Sequence, residues 1–412
     1  MNNILRFSNY YTNFKSNPLI KNINLDLFNK NKFCFLYNIV NKNRFSSNRI
    51  NKEKATNNIE LNPENILKSR KSIIEYFPIS IQNYLYLSRM DKPIGWILLF
   101  YPCIWGLVAG YPLLNSESLK HAFLFLVGSI TMRSCGCVIN DICDRNYDKK
   151  VKRTKGRPIA SGKISVKKAI GYTIIHFVLG LSILLQFNTK CLITGFFITP
   201  FFIIYPLIKR VSYYPQIILG ICFSSGILIG YSSIFINNNL LNCLPLYISG
   251  VLWTIIYDTI YGHMDKYDDI NANIKGTAIK FGQYTYYISY LLLFLIFCLM
   301  VYYIEQDKYI RFKKLEKYLQ SKLTIDYNNI NTINKNVNIY SFNYNKEFYI
   351  PYLVLILGII YQYKLLKNCN INQPISCLNT FKKSSNFGIF IIIFLISNNL
   401  VNNRYVNYSI DI

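Results

Sequence analysis

Apolar residues along this chain gather into long runs instead of alternating with polar ones. Nine runs are long enough to be read as helices crossing a bilayer: 95–114, 121–139, 169–187, 191–208, 215–236, 243–261, 283–304, 350–366 and 387–401. A bilayer core takes roughly 20 apolar residues in helical form, or about 17 where the segment is tilted or buried by neighbours. Backbone polar groups find no water there, so only helices and closed barrels satisfy them. The expected fold is therefore all-α, a polytopic membrane protein of about nine transmembrane helices.

The polar intervals divide the chain. Residues 1–52 hold nine Lys or Arg and a single acid, Asp26, among Asn, Ser and aromatic residues. A basic, acid-poor start of this kind reads as a mitochondrial transit peptide, with Arg44-Phe45-Ser46-Ser47 as the processing region. Residues 53–80 make a polar approach, 81–304 carry helices one to seven, and 350–412 carry the last two. Between them, 305–349 is rich in Asn, Lys and Tyr, lacks helical periodicity and reads as a low-complexity insertion loop.

Charge adds a topology. Lys and Arg number 46 against 20 Asp and Glu, a net charge of +26. The short-loop cations fall almost wholly on the N-terminal side, as Arg145 to Lys168, Lys209-Arg210, Lys266 to Lys280 and Lys364 to Lys383. The opposite loops offer little beyond Lys120 and Lys190. By the positive-inside rule the N-terminal side faces the cytosol, or the matrix of a mitochondrion. Abundant Asn, Lys, Ile and Tyr mark a compositional bias of the source genome, so the basicity does not call for a nucleic-acid partner. Eleven scattered cysteines and three distant histidines show no zinc-site spacing.

Against this background the acids stand out. Asn140-Asp141-Ile142-Cys143-Asp144-Arg145-Asn146-Tyr147-Asp148 closes one apolar run, and a second cluster goes from Asp258 through Asp265 to Asp268-Asp269. Carboxylates at a membrane boundary are costly and mark function. Both clusters fall on the same side, where they can share one cavity. On a helix, Asn140, Asp144 and Asp148 stack on one face, with Arg133 two turns earlier. Asp258, Tyr261 and Asp265 align likewise, with Asp268 and Asp269 one turn on. Hard oxygen ligands in two groups suit a pair of Mg²⁺ ions gripping a diphosphate. The cations such a ligand needs follow directly, in Lys152-Arg153-Thr154-Lys155-Gly156-Arg157-Pro158, with Lys209-Arg210 and Lys275 at neighbouring helix ends.

The first motif with its Arg153-Thr-Lys-x-Arg157-Pro-x-Ala-Ser-Gly162 sequel resembles the UbiA superfamily of intramembrane prenyltransferases. Within it, Tyr257-Asp-Thr-Ile-Tyr-Gly-His-Met-Asp265-Lys-Tyr-Asp-Asp269 is most similar to the 4-hydroxybenzoate branch. So are Arg89-Met-Asp-Lys-Pro-Ile-Gly95, Met132-Arg133-x-x-Gly136-Cys137, Tyr205-Pro-x-x-Lys209-Arg210, Pro215-Gln216-x-x-Leu-Gly220 and Asn273-Ile-Lys-Gly-Thr-Ala-Ile-Lys-Phe-Gly282. The match covers about residues 80–400, apart from the insertion, and Gly276 stands where the family often has Ser.

The resemblance implies a helical bundle around a central cavity open sideways to the lipid bilayer. It implies Mg²⁺-dependent transfer of a polyprenyl group from polyprenyl diphosphate to 4-hydroxybenzoate, ortho to the hydroxyl, in ubiquinone biosynthesis. By the same resemblance, Asn140, Asp144 and Asp148 bind one Mg²⁺ and Asp258, Asp265 and Asp269 the other. Arg153, Arg157, Lys209 and Lys275 serve the diphosphate, and Tyr205 and Tyr261 offer ring faces to an allylic cation. Arg210 is the first choice for the acceptor's carboxylate and Arg133 the second, Arg133 standing equally as a structural partner of a motif carboxylate. Asp91 is expected either to orient Arg89 or to act as a base toward the phenol. The implied location is the mitochondrial inner membrane, with the site facing the matrix. Competing readings are another UbiA-type enzyme (haem O synthase, or a homogentisate or naphthoate prenyltransferase) and a transporter with acidic gates, which would show broken helices at mid-membrane.

Overall fold

The computed structural model describes residues 73–110, 115–151, 153–233, 239–325 and 349–410. The expected transit peptide, the approach up to residue 72 and the insertion from 326 to 348 lie outside the described residues. Regular structure among the described residues is helical throughout. After a 3-10 turn at Ile73–Tyr76 come α1 (Ile79–Leu87), α2 (Ile94–Gly110), α3 (Ser116–Asp148), α4 (Val166–Leu184), α5 (Thr189–Val211) and α6 (Pro215–Ser232). The chain continues through α7 (Leu244–Gly262), the short α8 (Lys266–Asn271) and α9 (Thr277–Phe281), then α10 (Thr285–Ile325), α11 (Ile350–Lys367) and α12 (Pro374–Ile410).

Eight of these helices are long and apolar enough to cross a membrane, and α2, apolar but shorter, makes the ninth among the described residues. Their starts follow local chemistry. Asn115, Ser165 and Asn188 each cap a helix by accepting a backbone N–H, and Pro215 occupies the first turn of α6.

Two elements depart from the pattern of apolar runs. The helix α1 falls at the end of the polar approach, where no helix is expected. More substantially, α10 continues to Ile325 although hydropathy ends its run at 304, so 305–325 is helix and not loop. That stretch is polar but rich in Glu, Gln, Lys, Arg and Leu, all strong helix formers. Glu305–Lys308 and Asp307–Arg311 ion pairs add support along one face. It is also docked: Asp307 accepts from Asn398 at 2.8 Å and Asn402 at 3.1 Å, both on α12. Asn399 accepts from Arg311 and donates to the carbonyl of Val108 on α2, each at 2.6 Å.

Lipid offers helices no hydrophobic reason to associate, so close packing rests on small residues. The α2–α6 crossing shows this. A Cβ added at Gly106 would sit 2.1 Å from the Ile227 carbonyl oxygen, and one at Gly230 would sit 2.3 Å from that of Cys103. Around this contact Trp105 stacks on Trp253 at 5.2 Å and donates its indole N–H to Gly388 of α12. Burial falls away outward, from 72% of the α6 span to 11% of those of α4 and α5. The outer helices instead present Ile174, Phe196 and Phe197 to their surroundings.

Candidate active site at the acidic end of the bundle

The C-terminal ends of α3, α5 and α7 and the start of α6 meet at one end of the bundle. On α3, Asn140, Asp144 and Asp148 do share a face. Lys209 of α5 lies 3.3 Å from Asn140 Oδ1 and 3.8 Å from Asp144. Arg157 donates to Asp148 at 2.8 Å and to Asp141 at 3.1 Å.

Asp141 has no role in the sequence-based expectations, yet it is the most buried acid of the motif, 1% exposed. Arg89 donates to both its carboxylate oxygens, at 2.8 and 2.9 Å. Arg89 adopts φ of +58°, a left-handed conformation uncommon for a residue with a side chain and costing on the order of 1 kcal/mol. Its guanidinium donates to Asp141, and Asp91, expected either to orient Arg89 or to act as a base toward the phenol, has Oδ1 buried without a hydrogen bond among the described residues. Asp141 in turn braces Arg157 from behind. The loop carrying Arg157 is anchored by Ile159 and Ile164, which pack with Leu87, Val138 and Ala169. Thr154 ties it further by donating to the Asp148 carbonyl at 3.1 Å.

The second motif does not form the continuous helix that its spacing suggests. Helix α7 stops at Gly262, and Asp265 occupies the turn before α8. Glycine is a poor helix former, and the next residue, His263, is held by Thr285 at 2.9 Å, which turns the chain away from the α7 axis. In that turn Asp265 receives Arg153 through two nitrogens, Nε at 2.7 Å and Nη2, while Nη1 donates to the Tyr261 hydroxyl at 3.2 Å. A residue from the loop after the first motif thus clamps the second.

Asp258 remains on α7, where Gln216 of α6 donates to it at 3.2 Å and accepts the Thr277 backbone N–H at 3.2 Å. Gln216 sits in the stretch that carries the family resemblance, but only the fold shows that it links α6, α7 and α9. A Cβ at Gly276 would meet Gln216 at 3.8 Å, an ordinary contact, so the departure from Ser has no steric origin. Asp269 has no ion pair among the described residues; burial and then the neighbouring Asp265 push its carboxyl up to about 7.

Asn140, Asp144, Asp148, Asp258, Asp265 and Asp269 form two groups of hard oxygen donors of the kind Mg²⁺ takes. Among the described residues no three acidic, His or Cys side chains converge into a ready-made cluster. Protein cations hold Asp144, Asp148 and Asp265 instead. The same cations cover the two candidate rings: Lys209 lies 4.8 Å from the Tyr205 centroid and Arg153 5.6 Å from that of Tyr261.

Three further cations behave differently. Lys275 donates to the Val211 carbonyl at 3.1 Å and lies over Tyr213, so it closes the end of α5 and does not reach the acids. Arg210 donates to the Cys143 carbonyl at 2.9 Å and stands 4.0 Å from Asp144. Arg133 lies 5.7 Å over Phe223, its Nε is buried without a partner, and a Cβ at Gly95 would come within 2.6 Å of that nitrogen. No motif carboxylate pairs with Arg133 among the described residues.

Residues 99–309 match the model of the UbiA prenyltransferase family. The chain is 44% identical over 218 residues to the mitochondrial 4-hydroxybenzoate polyprenyltransferase of Homo sapiens, covering 53% of this chain and 58% of that protein. The protein of the same description from Dictyostelium discoideum is 36% identical over 335 residues, 80% of this chain and 64% of its own. The chain spans between half and two thirds of the length of the first curated relatives it matches. A UbiA homolog from Archaeoglobus fulgidus, solved with GPP and Mg²⁺, shares the fold with a TM-score of 0.52 at 17% identity, over 76% of this chain and 99% of that one.

Proposed function

The chain belongs to the UbiA prenyltransferase family, and from that footing we propose that it transfers the polyprenyl group of a polyprenyl diphosphate to 4-hydroxybenzoate. The new bond forms ortho to the hydroxyl, as a step of ubiquinone biosynthesis. The reaction depends on Mg²⁺ and takes place in the mitochondrial inner membrane, with the acidic end facing the matrix. Relatives described as mitochondrial 4-hydroxybenzoate polyprenyltransferases support the acceptor and the organelle. The Archaeoglobus neighbour bound to GPP and Mg²⁺ supports a prenyl diphosphate donor and a divalent metal.

One observation carries the reading: two acidic motifs about a hundred residues apart meet at one end of the bundle, held by Arg153, Arg157 and Lys209. Asn140, Asp144 and Asp148 would hold one ion and Asp258, Asp265 and Asp269 the other. When bound, Mg²⁺ neutralises charge on the departing diphosphate. Arg153 and Lys209, which pair with Asp265 and Asp144, are the cations that would serve phosphate oxygens. Arg157 keeps its position throughout, because Asp141 and Arg89 brace it. Tyr205 and Tyr261, whose rings lie beside those two cations, would offer their faces to the allylic cation. The phenol ring attacks that cation and the attacked ring carbon then loses its proton to the departed diphosphate or to water, with Arg210 holding the acceptor's carboxylate and Arg133 the deeper alternative.

The test uses membranes containing the protein, Mg²⁺, a polyprenyl diphosphate and radiolabelled 4-hydroxybenzoate or homogentisate. EDTA-sensitive, lipid-soluble label from 4-hydroxybenzoate alone is the expected result. Label from homogentisate instead, or from neither acid in folded protein, overturns the assignment of the acceptor.

A further inference from the structure

A polar basin opens beside the acidic motifs, where α3 runs against the end of α5. It encloses about 430 Å³ and is lined by Cys143, Arg145, Asn146, Tyr147, Lys150 and Arg210. Three of the six are cations and none is a carboxylate. Among the described residues neither Arg145 nor Lys150 has an ion pair, and the Arg145 guanidinium donates to the Ile142 carbonyl at 3.3 Å. Arg210 is the shared wall. Its guanidinium lies 5.1 Å from the Tyr147 centroid on the basin side, yet stands 4.0 Å from Asp144 on the other.

We infer that this basin collects the anionic aromatic acceptor from water before it enters the cleft, an inference that rests on the reaction proposed above. Arg145 and Lys150 draw the carboxylate, the ring settles against Tyr147, and Arg210 passes the acid on toward Asp144. Concave surfaces of one sign raise the local concentration of a counter-ion and speed its capture. The prenyl donor has no use for such an entrance, because its tail delivers it through the lipid. The basin also lacks the carboxylates that a metal-bound diphosphate requires. Inorganic diphosphate leaving the site is the other anion of similar chemistry, and it is separable by experiment.

The experiment compares the full-length, membrane-embedded enzyme with its R145Q/K150Q double variant. At low ionic strength the apparent KM for 4-hydroxybenzoate rises about fivefold, and it converges with the parent value at high salt as screening sets in. The kcat and the KM for the polyprenyl diphosphate stay unchanged. Inhibition by benzoate weakens in parallel, while product inhibition by added inorganic diphosphate does not move. An unchanged KM for the acid at low salt overturns the inference, as does a fall in kcat without a KM effect. A shift confined to diphosphate inhibition also overturns it and assigns the basin to the leaving group. Parent enzyme that makes no product from 4-hydroxybenzoate fails the reaction itself, before any variant is compared, and the inference falls with it.

Discussion

The two ends of the bundle both carry buried charge, and they satisfy it with different kinds of partner. At the far end of the bundle, about 33 Å along α10 from its start at 1.5 Å per residue, Asp307 is bound by Arg311 and by the amides of Asn398 and Asn402. Those amides are short side chains fixed on one rigid helix. At the acidic end, Asp144 and Asp265 are held mainly by Lys209 and Arg153, side chains long enough to swing away. Short neutral partners make a lock, whereas long charged partners make a set of placeholders. Asp141 is the exception that sharpens the rule. Two arginines converge on it, one of them through a strained backbone, and it behaves as part of the lock.

The comparison breaks first at the placeholders. Asp144→Asn and Asp265→Asn keep side-chain shape but remove the charge that a metal requires. Each is expected to lower kcat by about 100-fold or more, with the thermal midpoint and membrane insertion close to those of the parent. Near-normal turnover in either variant removes the two-metal scheme. The next effect belongs to the other end. Asp307→Ala strips Arg311 and two amides of their acceptor and costs about 2–3 kcal/mol, discounted for partial exposure. Thermal unfolding in detergent should show the loss, while kcat of the protein that remains folded is unaltered. A variant of normal stability but low kcat would mean that the two ends are coupled.

The contrast between lock and placeholder was only half visible in the sequence. Nine apolar runs announce the bundle because lipid leaves a chain few alternatives, and the 140/144/148 spacing announces a shared face because α3 remains helical through Asp148. What stayed hidden depends on distant pairing or on a change of period. Arg89 and Asp141 are 52 residues apart, and no local pattern joins them. Gly262 breaks the spacing that put Asp265 on the α7 face. The far-end lock was invisible for another reason: Asn398, Asn399 and Asn402 looked like the compositional excess of Asn found everywhere in the chain. Hydropathy also stopped α10 at 304, three residues short of Asp307, because apolar content marks the membrane and not the end of a helix.

A smaller effect separates the two cations offered to the acceptor. Arg210→Ala should raise the apparent KM for 4-hydroxybenzoate about tenfold, the worth of one exposed charge-assisted contact, and leave that for the diphosphate within error. Arg133→Gln is the control, since Arg133 is the buried cation with no anion beside it. If Arg133→Gln carries the KM effect and Arg210→Ala does not, the carboxylate sits deep under the acidic motifs. Equal effects of Arg210→Ala on both substrates would make it a diphosphate residue.

The smallest expected change comes from the insertion, where the boundary matters more than the length. Removing 326–348 and rejoining α10 to α11 through a short Gly/Ser linker should leave kcat and stability within about twofold, since loop length enters closure entropy only logarithmically. Removing the whole of 305–349 is a different operation. It takes away Asp307 and Arg311, so it should reproduce the instability of Asp307→Ala and exceed it, because Asn398 and Asn402 then lose Asp307 and Asn399 loses Arg311 as well. Measured side by side by thermal unfolding, the two deletions decide whether the polar start of the insertion belongs to the bundle. If both are tolerated alike, the far-end lock contributes nothing to stability and the difference between the two ends is one of appearance.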